Sequence, residues 1–206
     1  MIHYDEYANV PREVIDAFVR EQELGRLVTV SPAGEPHLGL YPFAYDGSAV
    51  EVHLNRADAQ LADLAAGSRC VFEVDEPLAI IPSYWVHPES AVMATAYHRT
   101  VIFECTATVS DDAATLVAQQ TRLLARYQPE GGFRPVAADD ALYRGAVGVI
   151  AAVHLAVTGL QVKFKLGQNR PAAARARVVE ELRRRGRPND ARAAAAVAWT
   201  IDRERG

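Results

Sequence analysis

A chain of 206 residues, half of them apolar and 23% charged, has the material for one soluble domain with a sizeable core. The net charge of −4 argues against a general nucleic-acid binder, and no apolar run approaches the roughly 20 residues that span a bilayer. His3, Asp5 and Glu6 stand close behind Met1, without the basic and apolar stretches of a signal peptide, so a cytoplasmic location is expected.

In chain order, Asn9-Val10-Pro11 opens a helix, with a capping residue type ahead of a first-turn proline; Val14, Ile15, Phe18 and Val19 form its apolar stripe. "GRLVTVS" alternates as a strand, "SPAGE" turns, "PHLGLYPFAY" is a second strand, and "YDGS" signals a hairpin into "AVEVHLN". A short helix, about 57–66 and closed by Gly67, precedes the strand "RCVFEVD" and the apolar run "LAIIPSYW", which breaks at Pro82. Glu73, Asp75 and Glu76 read as a solvated turn. "TVIFECTATVSDD" is a long strand whose Asp111 or Asp112 can cap the helix "AATLVAQQTRLLARY". A loop over 128–140 leads to the strand material "AVGVIAAVHLAVTGLQVKFKL", and alanine-rich helices over about 172–185 and 189–200 finish the chain.

Hairpin-joined strands dominate and no βαβ alternation occurs. The expected class is therefore α+β, with an antiparallel sheet closing as a small barrel, flanking helices and C-terminal helices. The glycine-rich sequences of dinucleotide and P-loop sites do not occur. Cys70 and Cys105 are expected as two buried thiols rather than a disulfide, and with no CxxC or HExxH spacing no metal site is expected. Residues 170–206 hold ten Arg against five Asp or Glu, a net of +5, which leaves −9 on the rest. Such a basic tail and acidic body suit self-association, or a solvated helical face.

The chemistry concentrates where the last strand meets the first C-terminal helix, at "KFKLGQNRP". Lys163 and Lys165 share a strand face because their spacing is two, and such a pair favours a negative group opposite. Gln168 and Asn169 add amide donors and acceptors, Arg170 adds a guanidinium, and Asn169 doubles as a candidate helix cap. Arg56, between a strand and a short helix, is a candidate phosphate ligand or the partner of Asp58 or Asp63. Tyr84 and Trp85 offer a stacking surface for a planar ring, or a core pair. His53 is a structural histidine or a cofactor contact, and His98 a candidate lining residue or a surface one.

These segments resemble the PaiB-like family of FMN-binding negative transcriptional regulators. Lys165, Leu166, Gln168, Asn169 and Arg170 match its C-terminal signature, with Gly167 in place of serine. His53, Arg56 and Ala57 match a second segment, and Pro82 and Ser83 a third in which Tyr84 and Trp85 are reversed. Thr95-Ala96-Tyr97-His98 stands where the family has Thr-Trp-Asn-Tyr. The resemblance implies a split β-barrel over 1–170 and a helical extension over 171–206 that packs on the barrel or a dimer partner. It also implies a homodimer with FMN beside His53, Arg56, Ser83, Tyr84, Trp85, His98, Lys165, Gln168, Asn169 and Arg170, acting as a regulator or an oxidoreductase-like protein. Direct nucleic-acid binding gains no support from the sequence. Relatives of the piperazate-synthase kind use the same barrel for haem b, in which case His53 is the expected axial ligand. A cofactor-free barrel serving as a binding module is the remaining alternative.

Overall fold

The computed structural model describes residues 4–65 and 69–204, so the expected helix stop at Gly67 lies outside the described residues. Two short helices, α1 (Asp5–Ala8) and α2 (Arg12–Glu21), precede the strands β1 (Leu24–Val30), β2 (Pro36–Pro42), β3 (Ala44–Tyr45) and β4 (Ala49–Asn55). Helix α3 (Ala59–Ala65), β5 (Cys70–Ile81), β6 (Thr95–Ser110) and α4 (Ala113–Tyr127) follow. The chain closes with α5 (Arg144–Val149), β7 (Ile150–Lys165), α6 (Ala172–Arg185) and α7 (Asp190–Arg203). The strands form one sheet in the order β2-β1-β5-β6-β7-β4-β3, antiparallel as the hairpin signals require.

The chain divides into two compact units. One comprises 16–74 and 102–160, the other 1–15, 75–101 and 161–206. In the first, β1 alternates between buried and half-exposed residues, and β4 does the same, so Leu27, Val50, Val52 and Leu54 face a common core with Phe72 and Phe103. Helix α3 is fixed to β1 and β2 by buried polar side chains. Gln60 Nε2 donates to the Leu27 carbonyl at 3.0 Å, while Thr29 Oγ1 donates to Asp63 Oδ2 at 2.6 Å and His37 Nδ1 lies 2.7 Å from the same oxygen. The hydrogen bond from Thr29, then that from His37, holds the Asp63 carboxyl below its ordinary range. Cys70 and Cys105 are buried free thiols, and burial pushes them up to about 11 and about 12.

In the second unit, α6 and α7 pack together as a hairpin. Arg175, 1% exposed, binds Thr200 Oγ1 at 2.9 Å and pairs with Glu204; Arg185 makes a two-point pair with Asp190. Gly186 takes φ +66°, the left-handed conformation that ends α6 where its arginines run out. Among the described residues, no helix is long and apolar enough to cross a membrane.

Two sequence expectations need correction. The two strands flanking 75–77 are one strand, and Glu76 is buried within it rather than solvated on a turn. Pro77 is tolerated because β1 pairs with β5 only from Val71 to Glu73, so no β1 carbonyl waits for the amide hydrogen a proline lacks. The run from 146 is helical as far as Val149 and extended only from Ile150. A continuous apolar run carries no period to tell helix from strand, although no residue of α5 is itself buried.

Candidate functional site

The polar knot after β7 is shaped by a glycine. Gly167 has φ +87°, and a Cβ built there would stand 2.2 Å from the Tyr97 hydroxyl oxygen, so this turn and this tyrosine together require glycine. The Gln168 amide is used locally, with Nε2 donating to the Phe164 carbonyl at 2.5 Å and Oε1 accepting from the Leu166 amide at 2.8 Å. Asn169 is not the cap of α6. Pro171 occupies the N-cap position with φ −54° and ψ 146°, without a side-chain cap bond. A residue preceding proline is disfavoured in the helical region, which keeps Arg170 out of the helix and leaves Asn169 exposed.

Lys163 and Lys165 face the same side, as their spacing predicts, onto a cavity of about 400 Å³ that Arg170 and Asn169 also line. Lys165 Nζ donates to Thr95 Oγ1 at 2.6 Å, and Lys163 Nζ lies 5.9 Å from the Tyr4 ring centre. Burial, then the charge of Lys163, lowers the Lys165 pKa. Tyr4, Tyr7 and Tyr97 supply aromatic walls, and Glu6, exposed, is the carboxylate on the lining. Three cations and one carboxylate line a volume within the usual range for small-molecule sites. Sequence reasoning missed the three tyrosines, because nothing in the spacing of Tyr4 and Tyr7 ties them to Tyr97.

Of the residues singled out from sequence, Lys165, Asn169 and Arg170 come together at this cavity, with Lys163. Ser83, Tyr84 and Trp85 form a single 3-10 turn of the same unit. Trp85 is 4% exposed with the Arg185 guanidinium 4.8 Å over its ring, whereas Tyr84 is exposed. His98 is half-buried on β6, its Nδ1 2.9 Å from Thr100 Oγ1; burial, then the charges of Lys163 and Lys165, keep its pKa low. His53 and Arg56 belong to the other unit. Arg56 is exposed and pairs with Asp111 at 3.3 Å. His53, on β4, has a buried Nδ1 without a hydrogen-bond partner among the described residues, and burial lowers its pKa.

The antiparallel seven-stranded sheet with flanking helices is an α+β fold of the split-barrel type found in flavin-binding proteins. The chain belongs to the family described as "Putative FMN-binding domain", which matches residues 1–159. Lys163 to Arg170 lie beyond that match. Among solved structures, the flavocytochrome Anf3 from Azotobacter vinelandii is similar with a TM-score of 0.63 and 18% identity, covering 80% of this chain and 72% of that one. The FAD and heme binding protein from Mycobacterium smegmatis gives 0.61 and 19%, covering 78% and 74%. A conserved hypothetical protein from Mycobacterium tuberculosis gives 0.59 and 16%, covering 83% and 94%. At these identities the likeness establishes the fold. No curated protein matches the sequence.

Proposed function

We propose that this chain is a PaiB-like flavoprotein that binds FMN as a homodimer, with the phosphate held by Lys163, Lys165 and Arg170. The observation that carries the reading is the convergence of those three cations on a cavity walled by tyrosines. When bound, FMN would supply one- or two-electron chemistry, with the protein contributing orientation and charge. Of the two roles the resemblance implies, the oxidoreductase-like one has the better support. The arginines that a nucleic-acid surface would need are partly committed to ion pairs within the helical hairpin: Arg175 with Glu204, Arg184 with Glu181, and Arg185 with Asp190.

A second reading, haem b with His53 as axial ligand, draws on one observation: the buried, unpartnered Nδ1 of an imidazole that burial keeps neutral at pH 7, the form that ligates iron. The names of two structural relatives, a flavocytochrome and an FAD and heme binding protein, make haem a class worth testing.

The visible spectrum of the purified protein separates the readings. Paired flavin bands are expected, with FMN binding more tightly than riboflavin, which lacks the phosphate. Lys165→Ala and Arg170→Ala should each weaken FMN by about 1.5–3 kcal/mol, the value of a charged hydrogen bond. A Soret band abolished by His53→Ala, with no flavin affinity, would replace the FMN reading by the haem one.

A further inference from the structure

The cations do not account for everything facing the cavity. Tyr7 and Tyr97 line it, are 5% and 4% exposed, and their hydroxyls have no hydrogen-bond partner among the described residues. Neither hydroxyl is among the buried side-chain atoms left without a partner, so both open on the cavity, where a ligand can take up their hydrogen bonds. Arg170 is half-buried, and its guanidinium has no carboxylate partner among the described residues. Its charge acts on both phenols. Burial raises the pKa of each, Tyr97 to about 12, so both remain protonated donors at neutral pH.

We propose that Tyr7, Tyr97 and Arg170 form an oxyanion-binding corner that takes an ionised phosphate or carboxylate and rejects amines and neutral alcohols. A guanidinium and two phenolic hydroxyls offer donors in excess, and an ionised oxyanion has lone pairs enough to accept from all of them. An ammonium would be repelled by Arg170, Lys163 and Lys165. A neutral alcohol could satisfy the phenols but would leave the guanidinium charge unanswered. Gly167 makes room for the Tyr97 hydroxyl, which any side chain there would meet. The corner rests on the FMN reading only for the source of its oxyanion, which can be the cofactor's phosphate or the carboxylate of a small organic acid.

Calorimetric titration of the full chain with FMN, riboflavin, inorganic phosphate and succinate, repeated on Tyr7→Phe and Tyr97→Phe, tests it. Each variant removes one oxygen, and each is expected to keep the wild-type melting temperature and riboflavin affinity while binding the preferred oxyanion about tenfold more weakly. Weakening of FMN assigns the corner to the cofactor's phosphate. Weakening of succinate or phosphate in a protein that ignores FMN removes the flavin reading and leaves the corner standing. Unchanged oxyanion affinity in both variants, or equal losses for FMN and riboflavin, overturns the corner and leaves the flavin reading intact. Should a variant fail to fold, the wild-type ultraviolet difference spectrum decides. Saturating oxyanion should perturb the tyrosine band, and a flat spectrum overturns the corner.

Discussion

Gly167 and Tyr97 stand far apart in the chain, yet each fixes what the other can be. The backbone at 167 has φ +87°, which any residue with a Cβ adopts at a cost of about 1–3 kcal/mol. The tyrosine ring then fills the place where that Cβ would go. Gly167→Ala should therefore destabilise the protein through backbone strain and overlap together. In a Tyr97→Leu background, where the shorter side chain vacates the space, only the strain remains. A double-mutant cycle in urea should show the two costs falling short of additivity by about 0.5–3 kcal/mol, the range for residues in contact. Strict additivity would mean that the ring does not occupy the space above residue 167. Each residue, read alone in the sequence, is a departure from the PaiB-like pattern and counts against the site. The structure makes them one compensated change, which no reading of either segment could reveal. Lys163, Lys165 and Arg170 were legible because charge and strand period are local properties; the tyrosines that complete the cavity were not, because a long-range contact leaves no local trace.

The elements that were read correctly are those with a strong period or a clear terminator. Helix α6 runs over Ala172–Arg185, bounded by Pro171 and the left-handed Gly186, as its composition and flanking residues require. The sequence failed where a short helix runs directly into an apolar strand, at α5, or where a proline and three carboxylates imitated a turn, at 73–77. Glu76 explains the second failure. It is 7% exposed and lies between the guanidiniums of Arg99, 2.6 Å away on β6, and Arg192, 2.6 Å away on α7, so one carboxylate ties two strands to a helix. The Arg99 side chain is 17% exposed and that of Arg192 is 57% exposed, so the two contacts should differ in worth. Glu76→Ala takes a carboxylate from the half-buried Arg99 guanidinium and should cost about 1.5–3 kcal/mol, the value of a charged hydrogen bond. Arg192→Ala removes a solvated charge and should cost about 1 kcal/mol or less. Chemical denaturation of both variants checks the ranking, and comparable losses would place Glu76 on the surface after all.

For the whole molecule, the sequence offers charge asymmetry as the reason to self-associate, with a basic tail of +5 against a body of −9. The arginines of the helical hairpin answer carboxylates of the same hairpin in three of these cases, which leaves less charge for a second copy. A different surface is better suited to the proposed homodimer. Strand β2 ends the sheet order, and none of its residues is buried. Leu38 is 65% exposed and Leu40 51%, and a spacing of two puts them on one face. Exposed leucines on a terminal strand are an association hazard unless something covers them, and a second copy of the same strand is self-complementary to them. An apolar seam and an electrostatic one respond oppositely to salt, since screening weakens attraction between exposed charges and leaves apolar burial in place. Sedimentation equilibrium of the wild type should thus give a dimer at low and at high salt, while Leu38→Asp with Leu40→Asp should give a monomer that retains its melting transition. Dissociation of the wild type by salt alone, with the double variant still dimeric, would return the seam to the charged tail.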